Sequence, residues 1–210
     1  MHPLCFRGVH FLWGILVIMD YFHYTYKHNH IDFSSHIYKV STYHYNWHGE
    51  TEILILLKGR IEMSCNSEVF TMEPLDTIII SPQVGHATLA LEQDTTALVI
   101  HVGKDFFQQF DPNFSMYQFM IRSDETNRYN PFFTSVRHHA AMMMLLMVDG
   151  KSPANQLWLE HHYLDLASVV YSEIESVKSI PSNTKPADMT EATFDKMIAY
   201  IDKNYQRKIE

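Results

Sequence analysis

Short apolar runs broken by turn formers dominate the chain from about residue 34 to 104. The runs SSHIYKVSTYHY, TEILILLK, RIEMSC, EVFTME, DTIII, HATLALE and TTALVIHV are rich in Ile, Val, Thr, Leu and Tyr. Between them lie Lys58-Gly59, Cys65-Asn66-Ser67, Pro74-Leu75-Asp76, Ser81-Pro82 and Glu92-Gln93-Asp94. Strands at this short, regular spacing predict an antiparallel sandwich or barrel. In TEILILLK and DTIII the alternation is lost and both faces are apolar. Those strands are expected at sheet centres, covered on both sides.

After Gly103 the pattern changes. Residues 105–131 mix aromatics with turn formers and carry no clear period. FFTSVRHHAAMMMLLMVDG (132–150) and NQLWLEHHYLDLASVVYSEIES (155–176) then predict two helices, separated by the break from Asp149-Gly150 to Pro153. In the second helix Leu159, Tyr163, Leu166, Val170 and Ile174 form one stripe, widened by Leu157, Leu164 and Tyr171. Trp158 and Val169 fall on the opposite side. Met142, Met143, Met144 and Met147 read as adaptable core filling, with a subunit contact as the alternative. Residues 177–189 are aperiodic and rich in Ser, Pro and Lys, as a linker is. The last stretch opens another helix, capped by Thr190 or Thr193 and carrying Phe194, Met197, Ile198 and Ile201 on one face. So narrow a stripe needs a surface to pack on, and the expectation is that a further domain begins here.

Composition narrows the function classes. The formal net charge is −8, and the 16 Lys and Arg residues are scattered. A segment so composed is not expected to bind nucleic acid by itself, because phosphate contacts need clustered positive charge. Cys5 and Cys65 make neither a disulfide framework nor a zinc site, which fits a reducing cytoplasm. The apolar run 11–19 is too short to span a bilayer, and no cleavage pattern of a signal peptide follows it, so no membrane association is expected. Met19 is an alternative start, which would leave 1–18 as an extension. His138-His139 and His161-His162 are neighbours within helices, and ring pairs about 100° apart lack the i, i+4 spacing of a helical zinc site. They read as surface or interface residues. No nucleophile elbow, P-loop or dinucleotide fingerprint is present.

One constellation carries possible chemistry: NWHGETEILILLKG at 46–59 and LDTIIISPQVGH at 75–86. On a strand His48, Glu50 and Glu52 share a face, and a later strand starting near His86 brings a second imidazole towards them. Two His and one carboxylate facing a barrel interior make a facial triad for iron or a similar divalent ion.

These two segments resemble the paired cupin motifs, His-x-His-xxx-Glu-x6-Gly followed by a Gly-Asp turn and a Pro loop ending in His. His48, Glu52 and Gly59 match the first motif in register, and Pro82 and His86 match the second. Asn46 stands where the first metal-binding His belongs, and Leu75 replaces the Gly before Asp76. The order of segments, down to MIAYIDKNY, is similar to the N-terminal part of AraC/XylS-type transcription regulators. That resemblance implies a mainly β fold with a C-terminal α part, an antiparallel cupin-like (jelly-roll) barrel followed by an antiparallel helical pair. It divides the chain into an N-terminal extension or arm (1–33), the barrel (34–104), a helical dimerisation segment (105–176), the linker (177–189) and the start of an incomplete helix-turn-helix domain (190–210). The implied function is sensing of a small-molecule effector, bound by Asn46, His48, Glu52 and His86 in a degenerate barrel. The expected partners are a second copy, as a homodimer, and DNA only through the C-terminal domain. With Asn46 in place of an imidazole, an empty or water-filled site without metal or cofactor is expected, and no enzymatic activity. The alternative is a metal-dependent cupin oxygenase or isomerase using His48, Glu52 and His86.

Overall fold

The computed structural model describes residues 20–41, 44–150 and 152–178. The expected linker beyond Lys178, the helix at 190–210 and the extension at 1–18 lie outside the described residues. In chain order the strands are β1 (Asp20–His28), β2 (Ile31–Lys39), β3 (His44–Asn46), β4 (Thr51–Lys58), β5 (Ile61–Cys65), β6 (Glu68–Met72), β7 (Thr77–Ile80), β8 (His86–Ala90), β9 (Thr96–Val102) and β10 (Met120–Arg122). A short helix α1 (Lys104–Gln108) precedes β10, and the long helices α2 (Pro131–Asp149) and α3 (Pro153–Val177) follow it. The described strands form two sheets, ordered β1-β2-β9-β4-β7-β10 and β3-β8-β5-β6. All their pairings are antiparallel. The fold is a cupin-like two-sheet antiparallel barrel with a C-terminal helical pair, the class the resemblance implies and the strand pattern allows.

The doubly apolar strands lie where their composition demands. β4 sits between β9 and β7, inside the larger sheet. Leu54, Leu56, Ile78, Ile80 and Val99 face the smaller sheet and close a core with Ile61, Met63 and Met72. Ile53, Ile55, Ile79 and Ile100 face the other way and join the helices in a second core with Val136, Met143, Tyr163, Leu166 and Val170. Period-two alternation assigns successive residues of one strand to the two cores. Each fully buried large side chain contributes about 1.5–3 kcal/mol, so neither layer is dispensable.

The sheet begins earlier than the expected barrel boundary at residue 34. Residues 20–33 form β1 and the start of β2, which pairs with β9. Phe22, Tyr24 and Tyr26 alternate along β1 and pack against the helix-side core. Their period of two is a strand signal that the intervening His, Thr and Lys residues make hard to see. The unassigned stretch 105–131 supplies α1, a 3-10 turn at Phe114–Met116, and β10, which extends the sheet beside β7. Its aromatics fill the space beneath α3: Phe106 lies 5.0 Å from the Tyr163 ring and Phe107 stacks on Tyr171 at 5.8 Å. Asp111 fastens this loop by accepting from the hydroxyls of Tyr117 (2.6 Å) and Tyr171 (3.2 Å).

Both long helices start on a capped Pro. The Asn130 side chain accepts from the Phe133 N–H at 2.9 Å, and Ser152 accepts from Asn155 N–H at 3.0 Å. Each cap satisfies an amide that has no partner within its helix, and Pro at the first helical position has no such amide to lose. Leu159, Tyr163, Leu166, Val170 and Ile174 are buried as the stripe predicts, and so are Met143 and Met147. Trp158 is exposed.

Candidate metal centre

The site is assembled from three strands and one loop at one end of the inter-sheet core. Glu52 stands second in β4, and its neighbour in the ladder on one side is His101 of β9. His101 in turn faces Ser34 of β2. Residues directly opposite each other in an antiparallel pair project from the same face, so Ser34, His101 and Glu52 form one row across the larger sheet. His86, the first residue of β8, enters from the smaller sheet, and His48 enters from the loop before β4. The Pro82–Gly85 turn aims His86 inward. There His86 Nδ1 donates to the Val84 carbonyl at 3.0 Å.

All three imidazoles meet a single atom. Glu52 Oε2 lies 2.9 Å from His48 Nε2, 3.1 Å from His101 Nε2 and 3.2 Å from His86 Nε2. The rings of His48 and His101 stand 4.6 Å apart, and those of His48 and His86 5.3 Å apart. Glu52 and His86 are almost wholly buried. Burial pushes the Glu52 carboxyl up, but hydrogen bonds from His101, His48 and His86 more than reverse this and hold it well below the usual carboxylate range. For His86 burial lowers the pKa, while the bond to Glu52, its charge and the Val84 carbonyl raise it, leaving it above the usual histidine value.

The arrangement is over-supplied with donors. A carbonyl oxygen only accepts, so His86 Nδ1 carries a proton, and its Nε2 can point a second proton at Glu52 only if the ring is an imidazolium. Three such N–H groups would then compete for the two lone pairs of one oxygen. A divalent cation relieves the conflict, because the His48 and His101 lone pairs and the carboxylate become its ligands, and His86 is left as the one imidazole that donates to Glu52. Ligand atoms about 2.1 Å from a common ion stand about 3.0–3.4 Å apart. Glu52 Oε2 stands 2.9 and 3.1 Å from the His48 and His101 nitrogens. The donor atoms of these three residues lie within 4.8 Å of one another, a group that does not include His86. Ser34 Oγ, 3.3 Å from His101 Nδ1, holds the far side of that ring, as groups behind metal-binding imidazoles do.

Of the sequence-predicted residues, His48, Glu52 and His86 converge. Asn46 pairs with His86 in the β3–β8 ladder and shares its face, but among the described residues it makes no hydrogen bond to Glu52. His101 takes part instead. Sequence reasoning missed it because it sits inside the run TTALVIHV with no motif spacing to mark it, and only the β4–β9 register brings it to Glu52. The expectation of no enzymatic activity is corrected on this point. It rested in part on a donor set short of one imidazole at Asn46, and His101 brings one to Glu52 from another strand. With His48, Glu52 and His101 grouped in metal-ligand fashion, the ground for excluding an enzyme is gone. Cys65 lies in the row of His86, and burial and the charges of Glu52 and Glu68 push its thiol up to about 11.

A cleft of about 510 Å³ opens beside the centre, walled in part by Lys27, Asp32, Ser34, Glu50 and His101. Its walls carry side chains of both charges.

No protein-family profile matches the chain, and no curated protein matches it in sequence. Solved structures that match it do so over part of the chain. A Bacillus subtilis oxalate decarboxylase studied for its Mn(II) centres is 16% identical over 35% of this chain and 21% of its own, with a TM-score of 0.31. KdgF from Halomonas sp. is 15% identical over 39% of this chain and 77% of its own, with a TM-score of 0.33. The cupin domain of Schizosaccharomyces pombe Cnp3 is 12% identical over 42% and 64%, with a TM-score of 0.36. The chain spans about a fifth of the length of the decarboxylase. Among the described residues no helix is long and apolar enough to cross a membrane.

Proposed function

We propose that the barrel holds a divalent transition metal through His48, Glu52 and His101, with His86 bonded to Glu52 beside it, and that a small polar effector binds next to it. In this reading the chain is the effector-sensing and dimerisation part of an AraC/XylS-type transcription regulator, with DNA read by a helix-turn-helix part after the linker. The observation that carries the metal is the meeting of three Nε2 atoms on one buried Glu52 oxygen. The regulator reading is supported by the order of barrel, capped helical pair and linker-like sequence. When bound, the metal would act as a Lewis acid towards a carbonyl, carboxylate or hydroxyl oxygen of the ligand. The cleft side chains Lys27, Asp32 and Glu50 would select ligand polarity, and the β1–β2 hairpin that carries Lys27 and Asp32 would pass occupancy on to the rest of the molecule. A ligand shifts such an arrangement only as far as it prefers one state to the other.

A second reading, favoured by the same donor set, is a metal-dependent oxygenase or isomerase. Two measurements separate the readings. Tag-free protein should retain one equivalent of iron, manganese or zinc in the barrel, lost in Glu52→Gln. A form that carries the proposed helix-turn-helix part should then bind the promoter beside its gene with an affinity that a small ligand changes. Turnover of the ligand by the metal-loaded chain would establish the enzyme. Absence of barrel metal would remove the centre.

A further inference from the structure

Two histidine pairs that are distant in sequence meet on the outer side of the helical pair. His139 of α2 and His162 of α3 approach with Nδ1···Nδ1 at 3.2 Å. Asp165, one turn beyond His162, places Oδ2 3.9 Å from His139 Nδ1 and 3.4 Å from His161 Nε2. The donor atoms of His139, His162 and Asp165 all lie within 4.8 Å of one another. The i, i+4 test applied within each helix does not find this group, because its ligands come from two helices and are joined by packing.

Two facing Nδ1 atoms form at most one N–H···N bond, and whenever both carry lone pairs they repel. A cation between them turns both lone pairs to use, and the Asp165 carboxylate balances its charge. Ligands about 2.0–2.1 Å from a tetrahedral zinc stand about 3.3–3.4 Å apart, so small adjustments of the observed separations accommodate the ion.

We propose that His139, His162 and Asp165 form a second divalent-metal site, of the zinc class, that ties α2 to α3. Imidazole and carboxylate donors suit zinc, and three protein ligands leave a fourth position. His161, whose ring is more than half exposed, reaches Asp165 at 3.4 Å but lies outside the group of donor atoms within 4.8 Å of one another, so the fourth position is left to solvent. The ion would fix the relative position of the two helices outside their apolar seam, independently of the barrel centre.

Trp158 gives a local readout, since it lies edge-on to His161 at 5.6 Å and stacks on His162 at 6.3 Å. The tag-free full chain, stripped with chelator, is titrated with Zn²⁺ and with Co²⁺. It is compared with a His139→Asn/His162→Asn double variant and a His48→Ala/His101→Ala barrel variant. The barrel variant should still bind a zinc equivalent and gain thermal stability from it. The helical double variant should bind one equivalent fewer than the parent, and the cobalt quenching of tryptophan fluorescence seen in the barrel variant, where no barrel metal lies beside Trp47, should be lost when the helical substitutions are added. Asp165→Asn, which keeps the side chain's shape, should weaken this site about tenfold or more, as loss of one charged contact does. Equal zinc stoichiometry in parent and double variant, or unchanged affinity in Asp165→Asn, would overturn the proposal. Neither result would bear on the barrel metal, which the barrel variant tests separately.

Discussion

His101 lies directly across the β4–β9 ladder from Glu52, with Nε2 3.1 Å from the carboxylate oxygen. This single register relation changes the character of the barrel. The cupin-like motif lacks an imidazole at Asn46, and a strand almost fifty residues further on provides one from the neighbouring position in the sheet. The replacement works because a sheet brings together residues that no sequence spacing links.

A rescue experiment follows from that geometry. His101→Ala should abolish barrel metal uptake or weaken it at least about tenfold, the effect of one lost ligand contact. Asn46 faces His86 across β3 and β8 and shares its face. Adding Asn46→His to His101→Ala should therefore restore binding in part, through the position the motif normally uses. Metal stoichiometry and the metal-dependent rise in melting temperature read both variants. A double variant no better than His101→Ala would mean that position 46 cannot reach the centre.

His36 sets the expected acid sensitivity. Burial, and then the neighbouring imidazoles of His23 and His101, push its pKa down to about 4 from 6.5. Its ring lies 4.1 Å from that of His23 and 5.7 Å from that of His101, and its Nε2 is 3.3 Å from Ser34 Oγ. The folded protein keeps His36 neutral, while the unfolded chain takes up a proton as pH falls below 6.5. Stability should therefore decline from pH 6.5 to about 4 and be independent of this group outside that window. Urea midpoints between about pH 7.5 and pH 4.5 should fall less in His36→Asn than in the parent. Parallel curves would assign the acid sensitivity elsewhere.

Leu75 occupies a position that the motif gives to Gly, and its backbone explains why: φ is +73°, in the left-handed region. The turn holds because Asp76, buried behind it, is gripped by Arg128 through Nε at 2.8 Å and Nη2 at 2.9 Å, while Arg137 bonds the Leu75 carbonyl at 3.0 Å. The Leu75 side chain is itself 40% exposed, so little packing offsets the strain. Leu75→Gly should stabilise the protein by about 1 kcal/mol, the usual cost of a side chain in this conformation. The opposite change at Gly59, φ +78°, should destabilise by about 1–3 kcal/mol, since an added Cβ would strike the Thr95 side chain. Chemical denaturation of the two single variants decides both signs.

What the sequence made legible follows physical range. TEILILLK and DTIII announced central strands because burial on both faces leaves no polar alternation. The Leu159–Ile174 stripe announced a packed helix because its period is local. His48, Glu52, Gly59 and His86 stood out because a motif fixed their spacing. His101 was invisible for the opposite reason, as its role depends on register with β4. The meeting of His139 with His162 depends likewise on the packing of two helices. Residues 20–33 fall within the arm the resemblance implies, their aromatic alternation interrupted by polar residues, although β1 pairs with β2, and β2 with β9, so that they belong to the sheet.

The final prediction concerns assembly. Helix α3 turns Leu159, Tyr163 and Leu166 inward, yet Leu157 remains 69% exposed and Leu164 46%. They are seven residues apart and so lie on one helical face. Leu145 and Val148 of α2 are exposed as well. Apolar surface on both helices of a pair is suited to a self-complementary contact, and a two-fold dimer is the commonest closed form such a contact takes. We expect a homodimer through this face. Leu157→Glu and Leu164→Glu should each shift the protein towards monomer, and together should abolish the dimer. Neither side chain belongs to the inward stripe, so the melting temperature of the dissociated double variant should stay close to that of parent protein diluted below its dimerisation constant. Sedimentation equilibrium over a range of concentrations measures the association. A parent that remains monomeric at high concentration would remove the prediction, and a double variant that dimerises as tightly as the parent would move the interface to another surface.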